Sequence, residues 1–218
     1  MTPATCTTRR MLQLALDMHP LEAALAAAAA AGDRVDVLEA GTLLCVAEGM
    51  HAVRALRRAY PDKPIVADIR IARAGRNLAA LAFDAGATWV SAVGEAPTET
   101  LEAALRVARE RGGELPIELP EHWDEAQARR WRALGVRHVI AHCTAEVHAS
   151  GTGWTPATLA TIDRLADIGF TVTAAGGIDA DTLPGLTPTR AAIFVVGRSI
   201  VRATDPRAEA ERLRALLD

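Results

Sequence analysis

The chain of 218 residues is half apolar and 23% charged, enough apolar material for a large core and too apolar a composition for disorder. Its formal net charge of −3 and its lack of any Lys/Arg-rich run exclude the usual electrostatic footprint of a nucleic-acid binder. Cys6, Cys45 and Cys143 match neither a zinc spacing nor a disulfide framework, and no stretch can span a membrane or serve as a signal peptide, so a cytoplasmic location is expected.

Short apolar runs alternate with longer amphipathic ones. "MLQLAL" (11–16) predicts a first strand that ends at Asp17. An alanine-rich helix over 26–31 follows, then "VDVLEA" (35–40), a strand carrying Glu39 near its end. "EGMHAVRALRRAY" (48–60) reads as a helix, and "PIVADI" (64–69) as a strand with Asp68 at its tip. The helical stretch "GRNLAALAFDAG" (75–86) leads to the strand "TWVSAV" (88–93). In "TETLEAALRVARERGG" (98–113), Leu101, Leu105 and Ala108 have helical spacing. "ELPIEL" (114–119) holds Glu118 and "RHVIAH" (137–142) ends at His142. "FTVTAA" (170–175) runs into Gly176–Gly177, and "AAIFVV" (191–196) into Gly197–Arg198. Gly86, Gly112, Gly135 and Gly169 stand where helices hand over to strands and a C-cap favours glycine.

Eight strand–helix units without an internal linker predict a single (β/α)8 TIM barrel of the α/β class over residues 1–218, with an open doubly wound sheet as the alternative. In such barrels chemistry gathers at the C-terminal ends of the strands. Asp17, Glu39, Asp68, Glu118 and His142 all fall there. Glu39 and Asp68 close neighbouring strands, so their carboxylates can share a hard cation such as Mg²⁺, with water and substrate oxygens completing the shell. Such a cation would stabilise an enediolate. The glycine turns after the seventh and eighth strands, with Arg198, form the place where barrels cradle phosphate. A phosphorylated small molecule is therefore the expected ligand.

The segments "LQLALD", "VDVLEAGTLLCVAEGMHAVRALRRAYPDKPIVAD", "IELPEHW", "GFTVTAAGGI" and "FVVGRSI" resemble the 3-keto-L-gulonate 6-phosphate decarboxylase and 3-hexulose-6-phosphate synthase family, within the orotidine 5′-monophosphate decarboxylase suprafamily of (β/α)8 barrels. The resemblance implies lyase chemistry on a phosphorylated keto-sugar or keto-sugar acid through a Mg²⁺-stabilised enediolate. It puts Glu39 and Asp68 on metal-ligand positions and Asp17 on a substrate-contacting acid. Glu118 and His142 fall on active-site positions, the histidine delivering protons. Gly176, Gly177, Gly197 and Arg198 fall on the phosphate grip. It also implies a homodimer with a shared active site.

One segment departs from the family. Its Asp-x-Lys-x-x-Asp is here Asp68-Ile-Arg70-Ile-Ala-Arg73. Arginine stays charged at any working pH and cannot readily shuttle a proton, though it clamps anions bidentately. Ala145 and Ala175 stand where the decarboxylase has arginine and threonine. Three readings are open: a lyase with an altered substrate, in which Arg70 and Arg73 bind a second anionic group; an isomerase or epimerase of a phosphorylated ketose; and a non-catalytic phosphosugar-binding homologue. Trp89, Trp123, Trp131 and Trp154 read as packing residues. His19, His51, His122, His138 and His148 show no ligand spacing, and Cys143 should face away from His142.

Overall fold

The computed structural model describes residues 9–143 and 153–218. Eight strands, β1 (Met11–Leu16), β2 (Val37–Ala40), β3 (Ile65–Ile71), β4 (Trp89–Val93), β5 (Ile117–Glu118), β6 (His138–His142), β7 (Thr171–Ala175) and β8 (Ile193–Val196), form a closed barrel in sequence order. Every pairing is parallel, and β8 returns to β1 with Met11 opposite Ile193. The open-sheet alternative is thereby removed. The strands are apolar at most positions because helices cover their outer faces and side chains fill the barrel. Leu12, Leu14, Leu16, Ile65, Ile117 and Phe194 are all buried without residual exposure.

The helices are α1 (Leu21–Ala31), α2 (Thr42–Glu48), α3 (Met50–Ala59), α4 (Gly75–Asp84), α5 (Thr98–Glu110), α6 (Glu125–Leu134), α7 (Pro156–Ile168), α8 (Leu183–Leu186), α9 (Arg198–Val201) and α10 (Pro206–Leu217). The alanine run packs as expected, with Ala24, Ala28 and Ala31 buried at helical spacing. The helix read over 48–60 instead divides at Gly49, whose φ of +59° interrupts it, and a separate α2 precedes the break. The strand read over 114–119 contracts to two residues. Pro116 and Pro120 flank it and lack the N–H that a ladder needs, although the Pro116 carbonyl still accepts from Ala92.

The N-terminal end of the barrel is held by side chains that reach several loops at once. Arg57 on α3 donates to the carbonyls of Gly86, Tyr60, Pro61 and Lys63 and to the Thr88 hydroxyl. Its one guanidinium thereby ties the α3–β3 loop to the α4–β4 loop.

His138 opens β6 and is 2% exposed, with Nε2 2.6 Å from the Thr173 hydroxyl and its ring edge-on to Trp89 at 5.2 Å. Burial lowers its pKa to about 4, and the Glu114 carboxylate 3.8 Å away is too exposed to reverse that. The folded protein therefore holds a neutral His138 that the unfolded chain would protonate below its ordinary value near 6.5. Stability is retained above that value and lost as pH falls toward 4, by about 3 kcal/mol. Denaturant titrations should show His138→Gln losing less stability than the parent by that amount between about pH 7 and about pH 4.

Candidate active site

The strand order places the chemistry-bearing residues around one rim. Asp17 follows β1, Glu39 lies within β2, Asp68 within β3, Glu118 ends β5 and His142 ends β6. The turns Gly176–Gly177 and Gly197–Arg198 follow β7 and β8.

β3 does not run straight through this region. Its register against β4 slips between Ala67 and Ile71, so Asp68, Ile69 and Arg70 form a bulge. Within it Arg70 adopts φ +46°, a left-handed conformation that a non-glycine residue holds at a cost of about 1–3 kcal/mol. Bulges redirect side chains. Here the result is that Arg70 Nη2 lies 3.2 Å from Glu118 Oε2 and 3.4 Å from His142 Nδ1, while Nε is 3.7 Å from Asp68 Oδ2.

Glu118 joins the arginine to the histidine. Its second oxygen is 3.0 Å from His142 Nδ1. A carboxylate only accepts, so Nδ1 carries the proton of this contact and Nε2 is the nitrogen left to exchange protons with a ligand. Burial opposes the charge on Glu118. The hydrogen bond from His142, then the charges of His142 and Arg70, outweigh that and hold Glu118 below the usual carboxylate range.

Asp68 is held on both oxygens. Ser91 on β4 donates to Oδ1 at 2.6 Å, and Thr42 at the start of α2 donates to Oδ2 at 2.5 Å. Glu39 is 9% exposed and accepts from the Gln13 amide at 2.6 Å. Its pKa is pushed up to about 8, first by burial and then by Asp68. Asp17 and Glu118 add to the rise, and Gln13 opposes it. Asp17 itself accepts from the Leu43 backbone N–H at 2.8 Å, which caps α2.

A carboxyl that burial and then neighbouring acids hold in its protonated form is a position where a cation would favour the charged form. In donor chemistry Glu39 and Asp68 fit a hard divalent ion, to which each could offer carboxylate oxygen. Among the described residues no group of three or more His, Cys, Asp or Glu side chains is arranged to hold a metal. Two carboxylates with water and substrate oxygens suit Mg²⁺ better than a closed protein cage does.

Gly176 and Gly177 have φ of +94° and +62°. A Cβ on Gly176 would strike the Cys143 carbonyl and come within 2.9 Å of His142 Cδ2, so glycine is required where this turn meets the histidine. Trp154 pins it from outside, its indole N–H donating to the Gly176 carbonyl at 2.9 Å. Gly197 precedes α9, at whose start the exposed Arg198 stands.

Of the residues expected from sequence, Asp68, Arg70, Glu118 and His142 make one contact set, with Glu39 and Asp17 in its electrostatic field. Arg73 lies apart on an exposed turn, its guanidinium donating to the Ala72 carbonyl. Ala145 falls outside the described residues. The hydroxyls of Ser91 and Thr42 and the amide of Gln13 escaped the sequence reading. Gln13 and Ser91 were visible only as lone polar residues inside "MLQLAL" and "TWVSAV". Cys143 is buried, which raises its thiol pKa and disfavours the reactive thiolate.

Residues 10–213 match the family described as orotidine 5′-phosphate decarboxylase / HUMPS. The chain is 43% identical over 211 residues to 3-keto-L-gulonate-6-phosphate decarboxylase SgbH of Escherichia coli K12, covering 97% of this chain and 96% of that one. It is 40% identical over 196 residues to the Escherichia coli decarboxylase UlaD, covering 90% of this chain and 91% of that one. Among solved structures, a crystal structure of KGPDC from Streptococcus mutans superposes with a TM-score of 0.93 at 33% identity, over 95% of this chain and 97% of that one. A 3-hexulose-6-phosphate synthase superposes at 0.88 and 33% identity, over 94% and 99%. The closed barrel, the strand-end acids and these near full-length matches agree, and the chain belongs to the orotidine 5′-phosphate decarboxylase / HUMPS family.

Proposed function

We propose that the protein is a carbon–carbon lyase, decarboxylase- or aldolase-like, that acts on a phosphorylated keto-sugar or keto-sugar acid through an enediolate, with a substrate that differs from the usual one of its relatives. The observation that carries this reading is the contact of Arg70, Glu118 and His142 beside Asp68. A proton carrier, its orienting acid, a fixed cation and a candidate metal carboxylate stand together at the strand ends. Relatives named as 3-keto-L-gulonate-6-phosphate decarboxylases support the reaction class.

His142 delivers or removes a proton through Nε2 while Glu118 orients it through Nδ1. Gly176, Gly177, Gly197 and Arg198 grip the phosphate with backbone N–H groups and one guanidinium. Asp17 contacts substrate hydroxyls. Glu39 and Asp68 would hold Mg²⁺, which when bound would supply positive charge to stabilise an enediolate. Arg70 clamps an anionic group of the substrate, and Arg73 adds a second cation at the exposed turn.

The 3.7 Å approach of Arg70 Nε to Asp68 Oδ2 also favours a second reading, a phosphosugar-binding homologue whose metal site the guanidinium closes. The Glu118–His142 pair would equally serve an isomerase or epimerase of a phosphorylated ketose. We further propose a homodimer in the cytoplasm with a shared active site. Leu43 and Val46 on α2 are 56% and 79% exposed one turn apart, close to the Thr42–Asp68 contact, and such an apolar surface is suited to a second copy. No helix among the described residues is long and apolar enough to cross a membrane.

With Mg²⁺ in D₂O, the protein should exchange a substrate C–H proton, and His142→Ala should slow that exchange by about 10²-fold or more. Complete absence of exchange and turnover across phosphorylated keto-sugar acids would favour the binding protein. The double change Arg70→Lys with Arg73→Asp should restore decarboxylation of 3-keto-L-gulonate 6-phosphate, measured as CO₂ release. Sedimentation should give a dimer for the parent and a monomer for Val46→Glu with Leu43→Glu.

A further inference from the structure

Ser91 lies in the middle of β4 and has no exposed surface. A hydroxyl has one proton and two lone pairs, and both capacities are used here. The proton goes to Asp68 Oδ1 at 2.6 Å, since a carboxylate can only accept. A lone pair takes the Arg70 backbone N–H at 2.9 Å. Neither bond belongs to the ladder between β3 and β4. Both go to the bulge, one to its acid and the other to the left-handed residue two positions on.

We infer that Ser91 is a positioning residue: its buried hydroxyl aims the Asp68 carboxylate and at the same time holds the β3 bulge that delivers the Arg70 guanidinium to Glu118 and His142. The roles of the groups so positioned rest on the lyase reading above. Ser91 itself touches no reacting atom.

The geometry separates Ser91 from Thr42. Thr42 also donates to Asp68, but through Oδ2 and from α2, and it makes no bond to the bulge backbone. Without the Ser91 hydroxyl, the Arg70 amide loses the acceptor that the fully buried position 91 supplies, and the left-handed conformation has lost what offsets its cost. The bulge would then relax and withdraw the guanidinium. Ser91 thus makes Asp68 and Arg70 move as one unit.

The test compares Ser91→Ala, Ser91→Thr and Thr42→Val in the full chain. Mn²⁺ binding followed by electron paramagnetic resonance reads Asp68, and crystal structures read residue 70. Removal of a group that orients a metal ligand commonly weakens the metal by about 10–100-fold, and Ser91→Ala should do so. Its residue 70 should leave positive φ and its Arg70–Glu118 contact should be lost. Ser91→Thr, which keeps the hydroxyl, should restore both. Thr42→Val should weaken Mn²⁺ and leave Arg70 against Glu118. A Ser91→Ala protein that keeps the Arg70–Glu118 contact, or a folded Ser91→Thr protein that restores neither property, overturns the inference. If Ser91→Ala does not fold, Ser91→Cys, a weaker donor of similar size, carries the same comparison. A parent protein that binds no Mn²⁺ counts against the metal reading of Glu39 and Asp68, and the position of Arg70 in the variants then decides the role of Ser91.

Discussion

Glu39 sits inside the end of the barrel with Asp68, Asp17 and Glu118 all raising its pKa on top of burial. Acids gathered around a buried carboxyl disfavour one another's charge, and much of the surrounding structure answers that repulsion. Gln13 gives its amide to Glu39, Ser91 and Thr42 give hydroxyl protons to Asp68, and Arg70 and His142 share Glu118. Each donor arrives from a different strand or helix. The rim can therefore keep its acids close only while the barrel itself is intact, which links the chemistry to closure of the fold.

Arginine at position 70, where the family resemblance implies lysine, alters how that charge balance behaves. A lysine in such a cluster can lose its proton as the surroundings change, whereas a guanidinium does not. Arg70 consequently acts as a fixed positive charge among groups of adjustable protonation. His142 beside it can change its protonation, and its tautomer is set by Glu118. The planar fork also suits a carboxylate of the substrate as well as it suits Glu118, so an incoming anion would compete with an internal one for the same donor.

Much of this was legible in the chain before any fold was known. The eight apolar runs match the strands within a few residues, and Asp17, Glu39, Asp68, Glu118 and His142, read at or just beyond the ends of those runs, do stand at or near strand ends. What could not be read was local and three-dimensional. "PIVADI" offers no hint that the strand continues to Ile71 through a bulge, because the bulge depends on the pairing with β4. For the same reason a serine in "TWVSAV" has no visible partner in sequence, although it bonds to residues 23 and 21 positions away. The break at Gly49 and the shortened β5 reflect backbone constraints, a positive φ and two prolines, that hydrophobic periodicity does not register.

The pairing of β8 with β1 also bears on how the protein is made. Strand β1 leaves the ribosome well before its second neighbour, which comprises residues 193–196. While β2 to β7 are being made, therefore, one edge of β1 has no partner in the growing sheet. Open parallel edges of this kind recruit other chains, and pairing over such a sequence separation is slow. Helix α1, made soon after β1, can pack on the face of that strand, but its free edge waits until the last strand completes the ring.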